Sequence, residues 1–239
     1  MARRAVRLTV GAIIVAAGPG TRLGAGLPKA FVELAGCPLV IRALHALLAA
    51  PAIDPAVVVV AGRDVERTRA ALARFGPWRC PIDVVPGGAE RQDSVRNGLA
   101  AIGAPELIAI HDAARPFVRP EVVEAVIAAA AAHGAAIVAC PATDTVKQVH
   151  PDGWIEATPA RDRTWLAQTP QVFRADVIRA AHDRASASRA VATDDAVLVE
   201  QLGMRVYVVR GNPENRKITT PDDLRWAEWL LAQRPAAPR

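Results

Sequence analysis

Short runs of small and apolar residues, spaced along the whole chain, constrain its fold more than any other feature of the sequence. The clearest runs are residues 10–17, 56–61, 107–110 and 136–139, and each is shorter than the roughly 18 residues of a membrane span. A run that is apolar throughout is typical of a parallel strand buried on both faces. Helical patterns lie between the runs. This alternation predicts an α/β fold, with an open, mostly parallel sheet and helices on both faces.

Residues 143–173 interrupt this alternation. Residues 145–149 favour a strand, Pro151-Asp152-Gly153 is a turn, and residues 154–158 run back. The pattern predicts a protruding β-hairpin arm. Because the arm has too little apolar mass to be stable alone, it needs a surface to pack on, which a second copy of the chain could supply. We expect residues 1–239 to form one domain that carries this arm.

The first apolar run opens into a glycine-rich loop that carries two cations. Residues 18–29, GPGTRLGAGLPK, contain four glycines together with Arg22 and Lys29. Glycines let backbone N–H groups approach a phosphate closely, and the cations supply positive charge. Such a loop lies where open α/β sheets bind ligands. The loop predicts a polyphosphate site, and a βα turn with incidental surface charge is the alternative.

Lysine is rare in this chain, although the net charge is +5. Of 29 cationic residues only Lys29, Lys147 and Lys217 are lysines. An ammonium and a guanidinium are not equivalent at a tight phosphate site, so these lysines mark positions that chemistry fixes, unless they survive by chance. The other basic residues are scattered without aromatic interleaving, so we expect no nucleic-acid partner. The three cysteines lie far apart in the sequence, which favours a reducing cytoplasm.

Other polar residues follow the predicted strands, and each has a structural alternative. Asp112 could hold Mg²⁺ or cap the next turn, and Arg115 could form an ion pair. Gly88 could receive a base or ribose closely, and Ser94 could bond a base edge. His111 has no metal-ligand spacing with the other histidines, so we interpret it as structural.

Three polar segments are interpreted as helix starts. Acidic residues suit the first turn of a helix, which accounts for Glu90 and Asp93 and for the Thr193-Asp194-Asp195 segment. Thr220 is a predicted N-cap.

No nucleophile–base arrangement occurs in the sequence: GxSxG, HExxH and the P-loop motif are all absent. This absence fits a reaction in which a phosphate oxygen attacks, because that oxygen is already ionised at pH 7. Such an enzyme mainly aligns two anions and offsets the charge that gathers at phosphorus. Lysine, arginine and one Mg²⁺ suffice for this.

A set of motifs occurs together and in order, and it resembles the 2-C-methyl-D-erythritol 4-phosphate cytidylyltransferase family of the non-mevalonate isoprenoid pathway. The motifs are AAGPGTRLGAGLPKAF (16–31), PGGAERQDSV (86–95), HDAARP (111–116), ATDTVK (142–147), Arg161, QTPQVF (168–173), TDDAVLVE (193–200) and NRKITTPDDL (215–224). The resemblance covers roughly residues 10–230. It implies a Rossmann-like nucleotidyltransferase that joins CTP to the sugar-alcohol phosphate and releases pyrophosphate, with Mg²⁺ or another divalent cation.

The resemblance also implies roles for individual residues. The implied catalytic residues are Arg22, Lys29, Arg161 and Lys217. The implied CTP-binding residues are Ala16, Ala17, Gly18, Gly20, Gly88, Ser94, Asp112 and Ala113, with Asp112 also holding the metal beside the CTP phosphates. The residues implied for the sugar phosphate are Arg115, Thr145, Arg161, Thr169 and Lys217. The family forms homodimers whose arms embrace, which implies that Arg161 reaches the partner's site.

The sequence departs from the family pattern at Ala30, where glutamine is frequent, and at Arg216, which is bulkier than the usual aliphatic residue. The departure at Arg216 keeps a sibling activity open, ribitol 5-phosphate cytidylyltransferase. A non-catalytic module that binds nucleotide or nucleic acid is a further alternative, motivated by the pI of about 9.7. A nicotinamide dehydrogenase is disfavoured because the loop lacks GxGxxG. We expect no association with membranes.

Overall fold

The computed structural model describes residues 8–18, 27–188 and 192–233, and these form strands and helices in alternation. The strands are β1 (Val10–Val15), β2 (Glu33–Leu34), β3 (Cys37–Pro38), β4 (Ile53–Val60), β5 (Ile82–Pro86), β6 (Leu107–Asp112), β7 (Ala135–Pro141), β8 (Gln148–Val149), β9 (Ile155–Ala157), β10 (Trp165–Arg174) and β11 (Tyr207–Arg210). The α-helices are α1 (Leu39–Leu48), α2 (Val65–Phe75), α3 (Arg91–Ala101), α4 (Pro120–His133), α5 (Ala175–Ser188), α6 (Asp195–Gln201) and α7 (Pro221–Gln233). None of these helices is long and apolar enough to cross a membrane.

A seven-stranded sheet with the order β11-β7-β10-β6-β1-β4-β5 forms the centre of the molecule. The four apolar runs of the sequence form β1, β4, β6 and β7. β1 pairs in parallel with β4 on one side and with β6 on the other, and β4–β5 and β7–β11 are also parallel. Only β10 runs antiparallel to its neighbours within this sheet. The predicted mostly parallel α/β sheet is therefore confirmed.

Helices cover both faces of the sheet because successive strand residues point to opposite sides. Ile14 packs in a buried layer with residues of α1, α2 and α4. Its neighbour Ile13 packs in the layer that contains α3, α5 and α6. Both side chains are completely buried. The prediction that the continuous apolar runs form strands buried on both faces is therefore confirmed.

Helix α7 closes a third, smaller apolar cluster beside the sheet. Leu230 and Ala227 of α7 pack there with Phe117, which follows β6, and with Ile218, which is fully buried. Thr220 caps α7 as predicted, since its hydroxyl accepts a hydrogen bond from the Asp223 N–H at 3.2 Å. Ile218 thus fixes the polypeptide next to Lys217 against the body of the protein.

The arm predicted at residues 143–173 is too long, because its last part belongs to the main sheet. Strands β8 and β9 do form a hairpin with exposed side chains. β10, in contrast, lies between β6 and β7, and its second half is buried. Pro170 interrupts the apolar pattern of this segment, and the structure accommodates it where the register with β7 shifts between Ala167 and Gln171.

Candidate active site

A cavity of about 360 Å³ opens at the carboxyl ends of β1 and β6. β1 lies between β4 and β6, so the chain turns to opposite sides of the sheet here, and such a switch point is where open α/β sheets bind ligands. The sequence-predicted residues that line the cavity are Ala16, Ala17, Gly18, Lys29, Gly88, Ser94, Asp112, Ala113 and Lys217. Gly20 and Arg22 lie outside the described residues.

A second cavity of about 230 Å³ adjoins the first. Its sequence-predicted lining residues are Asp112, Arg115, Thr169 and Lys217. Three charged residues line both cavities, namely Arg91, Asp112 and Lys217. The boundary between the cavities is therefore built from one carboxylate and two cations.

Asp112 is the electrostatic centre of this boundary. Its Oδ2 lies 2.8 Å from Lys217 Nζ and 3.8 Å from Arg115 Nε, and its Oδ1 lies 3.5 Å from Arg91 Nε. Burial alone would raise the pKa of the carboxyl, but Lys217 and Arg91 outweigh burial and hold that pKa well below its usual range. Asp112 is therefore an ionised carboxylate, and its side chain forms ion pairs instead of capping the next turn.

The 87–94 segment forms one wall of the larger cavity. A Cβ on Gly88 would lie 2.3 Å from Asp93 Cβ, so only glycine fits there. The Ser94 hydroxyl donates to the Glu90 carbonyl at 3.1 Å and accepts from the Gly88 N–H at 3.2 Å, which fixes the loop over the cavity. Glu90 and Asp93 form a reciprocal capping box at the start of α3, as their interpretation as first-turn acids predicts.

Buried polar side chains of β10 form the floor of the smaller cavity. The Thr169 hydroxyl accepts from the Asp112 N–H at 3.0 Å and contacts His111 Nδ1 at 2.9 Å. The Arg115 carbonyl can only accept, so Nε2 of His111 carries the ring proton and donates to that carbonyl at 3.0 Å. Nδ1 therefore accepts the proton of the Thr169 hydroxyl. His111 is fully buried in this network. The interpretation of His111 as a structural residue agrees with these contacts.

Hydrogen bonds of Arg115 and Asn215 hold the loop that contains Lys217 against the site. Arg115 donates to the Asn215 carbonyl at 2.8 Å and to the Ala167 carbonyl at 3.3 Å. The fully buried Asn215 amide donates to Thr169 O at 2.8 Å and to Gln168 Oε1 at 3.1 Å. These bonds join residues about 50 to 100 positions apart, so they place Lys217 beside Asp112 through tertiary contacts alone.

Arg216, the bulky departure from the family pattern, points away from both cavities. Its guanidinium lies 2.5 Å from Asp223 Oδ1 and 5.0 Å from the centre of the Trp226 ring. Both partners belong to α7. The larger side chain is therefore accommodated outside the site, and neither cavity loses volume to it.

The sequence reasoning missed Arg91 and the role of Asp195. Arg91 Nη1 lies 2.8 Å from Asp195 Oδ2, and His182 Nε2 lies 3.1 Å from Asp195 Oδ1. The helix start predicted at Thr193–Asp195 is confirmed, because Asp194 caps α6 by accepting from Val197 N–H at 3.1 Å. The sequence gives no signal that the next acid, Asp195, points inward to Arg91, since both acids suit a first helical turn equally well.

Two predicted substrate residues lie on the arm and line neither cavity of the described chain. Thr145 precedes β8, and Arg161 begins a short 3₁₀ turn after β9; both are exposed. The arm also exposes a cross-strand apolar pair, with Val149 55% and Ile155 61% exposed, beside Trp154 at 78%.

Proteins that are similar to this chain bear the name of the family that its sequence motifs resemble. The family model of 2-C-methyl-D-erythritol 4-phosphate cytidylyltransferase matches residues 10–233. A relative with that name from Symbiobacterium thermophilum is 46% identical over 229 residues, which cover 95% of each chain. A relative with that name from Geobacter metallireducens is 44% identical, over 95% of this chain and 99% of the relative.

Solved structures agree with these sequence matches. The 4-diphosphocytidyl-2C-methyl-D-erythritol synthase of Anaerococcus prevotii superposes with a TM-score of 0.84 at 31% identity, over 95% of this chain and 97% of that one. The 2-C-methyl-D-erythritol 4-phosphate cytidylyltransferase of Thermus thermophilus superposes with a TM-score of 0.76 at 33% identity, over 94% of this chain and 100% of that one.

Proposed function

Because the chain belongs to the 2-C-methyl-D-erythritol 4-phosphate cytidylyltransferase family and is a nucleotidyltransferase, we propose that its two adjoining cavities divide the two substrates between them. The reaction joins CTP to 2-C-methyl-D-erythritol 4-phosphate and gives 4-diphosphocytidyl-2-C-methyl-D-erythritol and pyrophosphate. CTP occupies the larger cavity, between the 16–18 and 87–94 segments. The sugar phosphate occupies the smaller one. The observation that carries this proposal is the charged boundary of Arg91, Asp112 and Lys217 that both cavities share.

The chemistry at this boundary requires charge and alignment more than proton transfer. An oxygen of the sugar 4-phosphate forms a bond to the α-phosphorus of CTP, while the bond from that phosphorus to the bridging oxygen breaks and pyrophosphate leaves. The attacking oxygen is already ionised at neutral pH. The protein therefore brings two anions together and offsets the negative charge at the α-phosphorus. We assign that role to Lys29, which lines the CTP cavity, and to Arg22.

Lys217 is placed to serve the second substrate. Its side chain is 42% exposed, and its ammonium lies 2.8 Å from Asp112 at the mouth of the smaller cavity. In the proposal the ammonium moves from Asp112 to the sugar phosphate. Arg115 contributes positive charge to the same cavity, and its hydrogen bond to the Asn215 carbonyl holds the loop that contains Lys217. Thr169 contributes by fixing that floor, because its hydroxyl already bonds to His111 and to the Asp112 amide.

The donor set at the site fits a divalent cation such as Mg²⁺. Asp112 offers an ionised oxygen ligand on the CTP cavity, and Mg²⁺ is commonly bound by one or two carboxylates together with substrate phosphates. The described residues contain no group of three or more His, Cys, Asp or Glu that could hold a metal by themselves. Bound there with the CTP phosphates, the cation would offset phosphate charge.

The exposed arm supports a homodimer in the same proposal. Val149, Trp154 and Ile155 present an apolar surface that is too exposed for an isolated chain to favour. Packing this surface on a second copy would bury it. Arg161 and Thr145, which line neither cavity of their own chain, would then serve the sugar phosphate across the dimer interface.

The proposal extends to the organisation and location of the chain. One sheet links β1 near the start of the described residues to β11 near their end, which supports a single nucleotidyltransferase domain with the arm as an appendage. Cys37, Cys80 and Cys140 form no disulfide, as is usual for proteins of a reducing compartment such as the cytoplasm.

Steady-state release of pyrophosphate tests the proposal. Purified protein is assayed with CTP and Mg²⁺ and with either 2-C-methyl-D-erythritol 4-phosphate or ribitol 5-phosphate, and omission of both sugars is the blank. We expect a clearly higher kcat/KM with the methylerythritol phosphate. A higher kcat/KM with ribitol phosphate would contradict the assigned substrate. Turnover of CTP without any sugar phosphate would contradict the assigned nucleophile.

A further inference from the structure

Arg91 belongs to the boundary that both cavities share, but the proposal above assigns it to neither substrate. It is the first residue of α3, and its side chain is 29% exposed. On the side away from the cavities, its Nη1 lies 2.8 Å from Asp195 Oδ2. On the side of the cavities, its Nε lies 3.5 Å from Asp112 Oδ1. One guanidinium thus bridges a buried carboxylate and the central carboxylate of the site.

The buried carboxylate is a rigid anchor. The Asp195 side chain is 1% exposed, and its other oxygen lies 3.1 Å from Nε2 of the equally buried His182. Gln171 Oε1 accepts the N–H groups of Asp195 and Ala196, both at 3.1 Å, which fixes the start of α6 to β10. Burial raises the pKa of Asp195, but Arg91 and His182 outweigh it and the pKa is lowered, so Asp195 is ionised.

The two oxygens of Asp112 therefore have partners of different kinds. Oδ2 faces Lys217, whose long side chain is 42% exposed and has several rotatable bonds. Oδ1 faces Arg91, whose guanidinium is tied to the anchor.

We propose that Arg91 is a positioning residue for the Asp112 carboxylate. Anchored on Asp195, it holds Oδ1 and keeps Asp112 oriented towards CTP when the Lys217 ammonium leaves Oδ2 for the sugar phosphate. This inference rests on the roles proposed above for Asp112 and Lys217. The buried Asp195–His182 pair then also supports the active site, because it holds the Arg91 guanidinium in place.

A purely structural role for Arg91 must be separated from this one. Removing Arg91 alone would take the arginine partner from an ionised, buried Asp195, which is destabilising, so that variant would lose both stability and activity. A double variant separates the two effects. Arg91→Gln combined with Asp195→Asn removes both charges and leaves a neutral pair that can still form a hydrogen bond, but Asp112 Oδ1 then has no cation.

The test compares Arg91→Gln, Asp195→Asn, the double variant and Asp112→Asn with wild type. Arg96→Gln is the matched control, because Arg96 lies on the same helix, pairs with Asp93 at 3.3 Å, and lines neither cavity. Three quantities are measured: the midpoint of thermal unfolding, the Kd for CTP by calorimetry without sugar phosphate, and kcat and KM by pyrophosphate release.

We expect Arg91→Gln to lower the unfolding midpoint and the double variant to recover most of it. Both should keep a kcat/KM for CTP, measured at saturating sugar phosphate, about tenfold or more below wild type, as is usual when support behind a ligating carboxylate is removed. The Kd for CTP without sugar phosphate should change less, because Lys217 still holds Asp112 Oδ2 in that state. The Arg96 control should retain both activity and CTP affinity.

Two outcomes would overturn the inference at different points. If the double variant has wild-type kcat/KM while Asp112→Asn is inactive, Arg91 serves only to neutralise Asp195. If Asp112→Asn itself is fully active, the role proposed for Asp112 is wrong, and the inference that depends on it is wrong as well.

Discussion

Replacing His111 should change how the stability of the protein depends on pH. His111 is completely buried and neutral, bonded to Thr169 on one ring nitrogen and to the Arg115 carbonyl on the other. Burial disfavours the imidazolium and lowers the pKa of His111 from 6.5 to about 4. In the unfolded chain the ring is solvated and takes up its proton near pH 6.5.

The sign and the size of the effect follow from this difference. Above about pH 6.5 the ring is neutral in both states, so the contribution of His111 to stability is complete. As the pH falls towards 4, the unfolded chain binds the proton and the folded chain does not, which costs about 3 kcal/mol in the free energy of unfolding. His111→Asn removes the titrating ring but keeps an oxygen that can accept from Thr169. The variant should be less stable than wild type at neutral pH, and the gap should narrow by about that amount on acidification.

Urea unfolding at fixed protein concentration, repeated between about pH 7 and about pH 4, measures the gap. His133→Asn is the matched control, because His133 is exposed near the end of α4. Asp112, which interacts with His111, stays ionised throughout this range, and the more distant carboxylates titrate alike in wild type and variant, so their contributions cancel in the difference. A gap between wild type and His111→Asn that stays constant across this pH range would refute the reasoning.

Three further substitutions test the site itself. Lys29→Ala should lower turnover about a hundredfold or more with little change in the unfolding midpoint, and near-normal pyrophosphate release would remove its catalytic role. Lys217→Arg keeps the charge but replaces a compact ammonium with a planar guanidinium, so kcat/KM for the sugar phosphate should fall about tenfold. An arginine variant with wild-type kcat/KM would show that the rarity of lysine carries no functional information. Gly88→Ala places a Cβ 2.3 Å from Asp93 Cβ, so we expect a loss of about 1–3 kcal/mol in stability and a raised KM for CTP. Gly62→Ala is its control, because the new Cβ would lie 3.8 Å from Pro86 Cβ, and equal effects in the two variants would contradict the steric argument.

The sequence alone determined the features whose signal is local. A parallel strand buried on both faces must be apolar at nearly every position, so residues 56–61 and 107–110 could be recognised one segment at a time. The signal of the 87–94 segment, which forms one wall of the larger cavity, is equally local, because its glycines, Ser94 and the start of α3 lie close together in the sequence. These signals gave the fold class, and together with the family motifs they gave most of the residues that line the larger cavity.

Only the tertiary structure decided where polar residues are buried. β10 carries Gln168, Thr169 and Gln171 into the middle of the sheet, and each is satisfied by partners from distant parts of the chain. The Arg91–Asp195 pair is of the same kind, since its members lie on separate helices. A buried polar group is tolerated only when its hydrogen bonds and charge are met. The pattern of residues within one segment does not indicate partners that lie elsewhere in the chain. The contacts of Asp195 with Arg91 and His182 could therefore be identified only from the tertiary structure.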